Sequence, residues 1–252
     1  MPANLNNNGE RRMPGLLDGH RVLAFIGDDG LGQAVVGRLT KEGARVFVAG
    51  PGGNTAYHYK PAEVAGIFDQ AAEYLGGIDD VINAVTYWWV GKPEDADKAV
   101  WDELTAVNST AAVVIAQESA RRIAGKGSLC SLGCLWAMAT SPEVGLTGAS
   151  KAILGPLTKA LALSGAKRGF RANLACVGLI DTPHMRDIAA RRATVVGTDD
   201  PSAAFDRAVG RVALRRGGSP DEVGKVVAFL ASDHARTITG ATVLVDGGLL
   251  WT

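Results

Sequence analysis

The sequence of 252 residues is poor in the features that mark several large classes of protein. Its three cysteines (Cys130, Cys134 and Cys176) are an odd number without paired spacing, which argues against a disulfide-bonded secreted domain. It has no apolar run long enough to cross a bilayer and nothing like a secretory signal, so we expect a cytoplasmic protein. The 26 Lys and Arg residues balance 26 Asp and Glu residues, so no net charge draws the chain to nucleic acid or to an anionic membrane.

What is present fits one α/β domain. Hydrophobic residues make up 47% of the chain, enough for a sizeable core. Residues 1–19 are polar and turn-rich, which predicts a flexible leader before a domain over 20–252. Strands are predicted at 22–26, 45–49, 81–85, 128–132, 171–177 and 241–245, and helices at 31–42, 61–75, 95–124, 146–166 and 220–231. This alternation predicts a doubly wound, Rossmann-type parallel sheet with ligands at the carboxyl ends of the strands.

Several segments resemble the short-chain dehydrogenase/reductase family. Residues 216–223 read RGGSPDEV, 229–233 read FLASD, 238–240 read ITG and 245–248 read VDGG. Residues 147–151 read TGASK, where the family has Tyr-x-x-x-Lys. With Asn173, Gly178 and the IDTP run at 180–183, the resemblance spans residues 20–248 and implies the Rossmann-type fold of that family.

The resemblance implies a catalytic tetrad of Asn, Ser, Tyr and Lys, with the tyrosine as proton donor and the lysine lowering its pKa. By spacing, these positions fall on Asn108, Cys134, Thr147 and Lys151. A phenol with a pKa near ~10 can be shifted toward neutrality by an ammonium group, whereas an aliphatic hydroxyl stays protonated. We therefore expect none of the four positions to function in catalysis.

The nucleotide-binding loop is also altered. The family pattern Thr-Gly-x-x-x-Gly-x-Gly lets backbone amides approach a pyrophosphate. Here the loop has Gly27, Asp28, Asp29, Gly30 and Gly32, one residue shorter and with two carboxylates beside the phosphate position. Like charges about 4 Å apart cost around 1 kcal/mol even in water, so we expect a dinucleotide to be repelled. Alternatively, both aspartates point to solvent and the loop still binds.

Three further positions concern the cofactor. Gly50 leads into PGG, with no acid for a ribose hydroxyl, and the stretch before residue 61 predicts a shortened adenine side that keeps only a strand near 57–59. Val85 replaces a family glycine and is expected to crowd the nicotinamide ribose. Thr182 matches a threonine that contacts the carboxamide, and is equally suited to capping a helix. We expect this chain to bind no cofactor and no metal.

The segments that form tetramer interfaces in the family remain in this chain, namely 95–124, 146–166 and the last helix and strand. The resemblance therefore implies an inert subunit in a heterotetramer with an active paralogue. That paralogue would bind NAD and oxidise a secondary alcohol, with a hydroxyacyl-CoA as the suggested substrate class. The apolar residues 249–252 are hypothesised to reach the partner's substrate pocket.

Two other classes of function stay open. A cofactor-independent enzyme would use Cys134, Lys151 or Asp181 as acid and base, and Cys134 as a nucleophile would need Lys151 or His184 to activate it. A regulatory protein would hold a metabolite in the old cleft, where residues 87–89 (YWW) either line a pocket or, as we favour, fill the vacated space. Asn108 and Lys151 have structural roles available to them in either case.

Overall fold

The computed structural model describes residues 14–27, 29–50, 61–123, 125–198 and 200–251. Within these ranges, six strands form one parallel sheet in the order β2-β1-β3-β4-β5-β6. The strands are β1 (Arg21–Ile26), β2 (Arg45–Ala49), β3 (Asp80–Ala84), β4 (Gly127–Cys134), β5 (Phe170–Val177) and β6 (Thr242–Val245). The predicted doubly wound parallel sheet is confirmed.

The helices cover both faces of this sheet. They are α1 (Leu31–Lys41), α2 (Pro61–Leu75), α3 (Lys98–Thr105), α4 (Ala111–Arg122), α5 (Gly145–Lys151), α6 (Leu154–Gly165), α7 (Pro183–Val195), α8 (Ala204–Val209) and α9 (Pro220–Ala231). No helix among the described residues is long and apolar enough to span a bilayer.

Alternation along the strands divides the core into two layers. On β1, Leu23 and Phe25 pack on one face with α2, whereas Val22, Ala24 and Ile26 pack on the other with α1 and α9. Both faces are buried because parallel strands are connected by crossover helices. All six carboxyl ends consequently meet at one edge, and the candidate site lies there.

The sequence predicted several boundaries imperfectly. Helix 95–124 is interrupted by a π-helical turn, Ala106–Thr110, and helix 146–166 is divided into α5 and α6. Helices α7 and α8 were not predicted, and α7 has little amphipathic contrast because its buried side includes the small residues Ala189 and Ala193. The strand predicted near 57–59, and with it the shortened adenine side, lies outside the described residues.

The predicted leader ends too late. Leu17 is fully buried against the cluster that contains β1 and α1, and its backbone N–H donates to the carbonyl of Glu42 at 2.9 Å. The packed domain therefore begins before residue 20, since burying a leucine side chain contributes about 1.5–3 kcal/mol. Residues 1–13 lie outside the described ranges.

Candidate active site and nucleotide cleft

The Asp29 carboxylate accepts hydrogen bonds from backbone amides at the start of α1. Its Oδ1 accepts hydrogen bonds from the backbone N–H groups of Leu31 at 3.1 Å and Gly32 at 3.3 Å. Those N–H groups are the unpaired donors of a helix N-terminus, which bind a pyrophosphate in nucleotide-binding folds. In this chain the Asp29 carboxylate accepts from two of these donors. Asp28, predicted to act with Asp29, lies outside the described residues.

Two glycines of this loop, Gly30 and Gly32, serve the fold. Gly30 has a φ of +77°, in the left-handed region that favours glycine. A Cβ on Gly32 would lie 2.6 Å from Cβ of Ile26, so glycine at this position lets α1 pack on β1. Gly27 and Gly50 have no such requirement, because added Cβ atoms there would meet their neighbours only at 3.7 Å and 3.4 Å. Packing and backbone conformation thus account for Gly30 and Gly32, but not for Gly27 and Gly50.

The prediction that Val85 crowds the nicotinamide ribose is wrong. Its side chain is 3% exposed and belongs to the core layer on the α2 side of the sheet. The neighbouring residues Ala84 and Thr86 line the cleft instead. Because successive side chains of an extended chain point to opposite faces, the residue at the family's glycine position here faces away from the cofactor space.

Thr147, at the proton-donor position, holds the backbone of Trp89. Its Oγ1 donates to the Trp89 carbonyl at 3.0 Å and accepts from the Trp89 N–H at 3.1 Å. The side chain is fully buried, at 0% exposure. The single proton of the hydroxyl and one of its two lone pairs are thus used within the chain.

Asn108 makes the matching contact two residues earlier. It lies in the π-helical turn, accepts from the Tyr87 N–H at 2.8 Å and donates to the Tyr87 carbonyl at 2.9 Å. Its amide also donates to Oγ of Ser150 at 2.9 Å, and that hydroxyl donates to the Thr147 carbonyl at 2.9 Å. Asn108 and Thr147 therefore pair with alternate residues of the 87–89 segment as a neighbouring strand would.

This pairing places the intervening Trp88 at the cleft. Trp88 and Thr86 line a cavity together with Asp29, Cys134 and Thr182, and the cavity has a volume of only about 40 Å³. That space holds a few water molecules at most. Trp88 thus forms part of the wall of this small cavity, and the filling of the vacated cofactor space by residues 87–89 stays a prediction.

Lys151 bridges two strands. Its Nζ donates to the carbonyls of Val85 at 2.7 Å and Leu132 at 3.2 Å, and the side chain is 3% exposed. Burial lowers the pKa of Lys151 to about 8, although the nearby Cys134 and Asp29 oppose that shift. The ammonium ties the end of β3 to β4 and is not bonded to Thr147.

Cys134 is poorly suited to nucleophilic chemistry. Burial raises the pKa of its thiol to about 12, and the opposing effects of the Trp136 backbone and Lys151 are smaller. At neutral pH the thiolate is therefore a negligible fraction of the residue. His184 lines the same small cavity, with a buried Nε2 that has no hydrogen-bond partner among the described residues.

Thr182 caps α7. Its side-chain oxygen accepts from the backbone N–H of Met185 at 3.0 Å, and the following Pro183 begins the helix. Such a cap contributes about 1 kcal/mol to helix stability. The contact accounts for this threonine without a cofactor. In the described residues, no group of three or more His, Cys, Asp or Glu side chains is placed to hold a metal ion.

A larger cavity, about 440 Å³, lies beside the small one and was not predicted. Its walls come from the 135–143 segment, α7, α8 and the chain end, where Leu249 and Leu250 line it. Leu249 and Leu250 thus line a cavity of their own chain, and the hypothesis that the tail reaches a partner's pocket stays a prediction. The sequence offered one signal for this cavity, the four-residue spacing of Arg207 and Arg211, which in a helix places both side chains on one face. The cavity itself was not predictable, because the segments that line it are far apart in the sequence.

The fold and the cleft define a doubly wound α/β protein built like a nucleotide-dependent oxidoreductase. The family model described as "Enoyl-(Acyl carrier protein) reductase" matches residues 59–250. Dehydrogenase/reductase SDR family member 4 of Bos taurus is 31% identical over 95% of this chain and 90% of its own length. 2-(S)-hydroxypropyl-CoM dehydrogenase 3 of Xanthobacter autotrophicus is 27% identical over 93% of this chain and 88% of its own.

Solved structures of dehydrogenases have the same fold. Aldohexose dehydrogenase of Thermoplasma acidophilum, in ligand-free form, superposes with a TM-score of 0.81 at 26% identity, covering 93% of this chain and 96% of that one. A short-chain dehydrogenase from Burkholderia cenocepacia in complex with NADP gives 0.80 at 26% identity, covering 93% and 99%. This chain belongs to the short-chain dehydrogenase/reductase family, a family of oxidoreductases that act on alcohols.

Proposed function

We propose that this chain is a catalytically inactive subunit of a heteromeric short-chain alcohol dehydrogenase. It binds no cofactor itself and assembles with an active paralogue that binds NAD and oxidises a secondary alcohol. The observation that carries the proposal is the pairing of Thr147 with the Trp89 backbone, which uses the hydroxyl at the proton-donor position on both sides. Oxidation of an alcohol releases a proton, and this side chain has neither the pKa nor the exposure to relay it.

The nucleotide cleft supports the same proposal. The Asp29 carboxylate accepts hydrogen bonds from two backbone amides of α1. Trp88 and Cys134 line a cavity of only about 40 Å³. A dinucleotide would have to displace an anion that is covalently part of the loop, at the position of its own phosphates. Loss of the proton donor and occupation of the cleft are separate changes, and a single cause, release from catalysis, accounts for both.

Exposed apolar side chains support assembly. On α6, α3 and α9 they are Leu163, 81% exposed, Trp101, 40% exposed, and Phe229, 38% exposed. These helices belong to the segments for which the family resemblance implies tetramer contacts. Apolar side chains on such helices are typical of subunit interfaces.

The substrate class is suggested by resemblance. The combination of an intact fold and lost catalytic residues resembles the two-subunit dehydrogenase of anaerobic toluene degradation, whose substrate is 2-[hydroxy(phenyl)methyl]succinyl-CoA and one of whose subunits lacks the active-site residues. The names of two relatives, 2-(S)-hydroxypropyl-CoM dehydrogenase and D-beta-hydroxybutyrate dehydrogenase, also denote secondary alcohols. We therefore propose a secondary alcohol, such as a hydroxyacyl-CoA, as the substrate of the partner.

The test begins with the purified chain alone. We expect no NADH or NADPH binding by fluorescence titration and no alcohol oxidation. Co-expression with a paralogue that carries Tyr-x-x-x-Lys should give a stable complex of both chains by analytical ultracentrifugation. Turnover of a ketone by the isolated chain with NADH, at a rate ordinary for the family, would falsify the proposal.

A matched pair of variants tests the interface. Leu163→Asp places a charge on the exposed face of α6 and should weaken co-purification of the paralogue, because burying an unpaired carboxylate is unfavourable. Leu214→Asp makes the same change at a residue that is 65% exposed between α8 and α9, and should leave assembly unchanged. Equal recovery of the complex with both variants would argue against α6 as the interface.

A further inference from the structure

A row of polar side chains crosses the sheet at the amino ends of its strands, opposite to the catalytic edge. Asp80 on β3 is paired in register with Ser128 on β4, and Ser128 with Arg171 on β5. Side chains at paired positions of parallel strands lie on the same face of the sheet. Asp80 and Ser128 are each only 1% exposed. A carboxylate buried in this way requires partners, because an unpaired buried charge is strongly unfavourable.

Two side chains contact the Asp80 carboxylate directly. Oγ of Ser128 donates to Oδ1 at 2.7 Å, and Nδ1 of His20 lies 2.7 Å from Oδ2. The Arg171 guanidinium donates to carbonyls at the end of α9 and acts on Asp80 through its charge. Among the described residues, His20 is therefore the titratable group that contacts this buried carboxylate.

His20 belongs to the segment that precedes β1, residues 14–20, which we call the amino-terminal arm. The buried Leu17 fixes the arm at the end of α1, where its N–H donates to the Glu42 carbonyl at 2.9 Å. The His20 carbonyl accepts from the N–H of Arg45 at 2.8 Å, at the start of β2. The third attachment is the bond from the His20 ring to the buried carboxylate, and it involves a side chain that titrates near neutral pH.

The surroundings of His20 favour its protonated form. The hydrogen bond to Asp80 raises its pKa, and burial opposes that shift. A hydrogen bond from a charged donor is stronger than one from a neutral donor, so loss of the proton weakens this attachment while the carboxylate stays buried. The charged groups that face the pair are Asp79 beside Asp80 on β3, Asp233 after α9 and, across Asp80, Arg171 on β5.

We propose that the His20 proton is a pH-sensitive fastening of the amino-terminal arm. When the proton is present, the arm is held closed on the sheet, and when it is lost, the arm opens locally to a greater extent. The His20 side chain is 25% exposed, so its proton exchanges with solvent without unfolding of the domain. The device lies at the edge of the sheet opposite to the catalytic positions, and it is therefore independent of the inactive-subunit proposal.

The test measures hydrogen exchange of single amides by NMR over a pH series on the full chain. The Leu17 and Arg45 amides report on the arm, and the Gly197 amide, which donates to the Thr194 carbonyl at 3.0 Å beyond α7, is the internal control. After correction for the intrinsic pH dependence of exchange, protection of the arm should be constant below pH 6.5 and fall as pH rises through the folded pKa of His20. The fall should be about three- to tenfold, the difference between a charged and a neutral donor.

Two histidine variants assign the effect. His20→Asn places an amide donor at the position of Nδ1 and cannot take up a proton, so arm protection should become independent of pH, at the level of the unchanged chain at high pH. His234→Asn makes the same change at an exposed histidine in the short helix Asp233–Ala235 and should keep the full pH dependence. Arm protection that does not vary with pH in the unchanged chain, a pH dependence that persists in His20→Asn, or one that disappears in His234→Asn would overturn the proposal.

Discussion

The role of the Thr147 hydroxyl can be measured as folding stability. Thr147→Val keeps the β-branched shape and removes Oγ1, which donates to and accepts from the backbone of Trp89. If the hydroxyl holds the 87–89 segment, both backbone groups of Trp89 lose their partner. If the hydroxyl does not hold this segment, its removal should change the free energy of unfolding little.

The magnitude follows from the geometry. A typical hydrogen bond contributes about 0.5–1.5 kcal/mol net, and an unpaired buried group costs about 1–3 kcal/mol. Thr147 is fully buried, but Trp89 is only partly buried, so water replaces some of what is lost. We therefore expect Thr147→Val to lower the free energy of unfolding by about 2 kcal/mol.

The assay is urea unfolding followed by tryptophan fluorescence, with an unchanged dependence of the free energy on urea as the sign of an unaltered fold. Thr194→Val is the matched control, because Oγ1 of Thr194 donates to the carbonyl of Ala190 on an exposed face of α7. Its effect should stay within about 0.5 kcal/mol. If Thr147→Val also lowers the free energy of unfolding by less than that limit, the Thr147 hydroxyl does not hold the 87–89 segment in place.

Three further predictions concern other parts of the chain. Asp29→Ala should lower stability by about 0.5–2 kcal/mol in the same assay, because the carboxylate caps α1; no change would mean that the cap is replaced by water. The hydrogen bond to Asp80 raises the pKa of His20, so the contribution of this pair to the free energy of unfolding is complete below pH 6.5 and is lost as pH rises through the folded pKa. In His20→Gln this decline should disappear from a pH series of unfolding curves. An unaltered decline would contradict the assignment. Iodoacetamide should label no cysteine of the native chain at neutral pH and all three after denaturation, and rapid native labelling would contradict the burial of Cys130, Cys134 and Cys176.

Much of the fold was predictable because burial patterns are local. The strands were placed within a few residues, and the helices at 31–42, 61–75 and 220–231 were almost correct. Helix α7 was missed since its buried side includes small alanines, which give little contrast to a periodic pattern. The π-helical turn depends on contacts of Asn108 with Tyr87 and Ser150, which a helical pattern does not encode.

The candidate site was predictable as a set of positions but not as a set of contacts. The family resemblance placed the proton-donor position on Thr147, and an aliphatic hydroxyl is an unsuitable donor there whatever the fold. It predicted charge repulsion from Asp29, whereas the structure has that carboxylate bonded to Leu31 and Gly32. An acid just before a glycine and a helix start is a capping signal that could have indicated this contact.

For this protein, the hydrophobic period determined the class of fold, and the family resemblance placed the proton-donor position on Thr147, which is not a phenol. Tertiary structure decided which groups meet: Thr147 with Trp89, 58 residues apart, Lys151 with Val85, 66 residues apart, and the arginines of α7 and α8 around one cavity. The physical reason is that periodicity reports which side of an element is buried, whereas a hydrogen bond or a charge cluster depends on distances between elements that only the packed chain fixes.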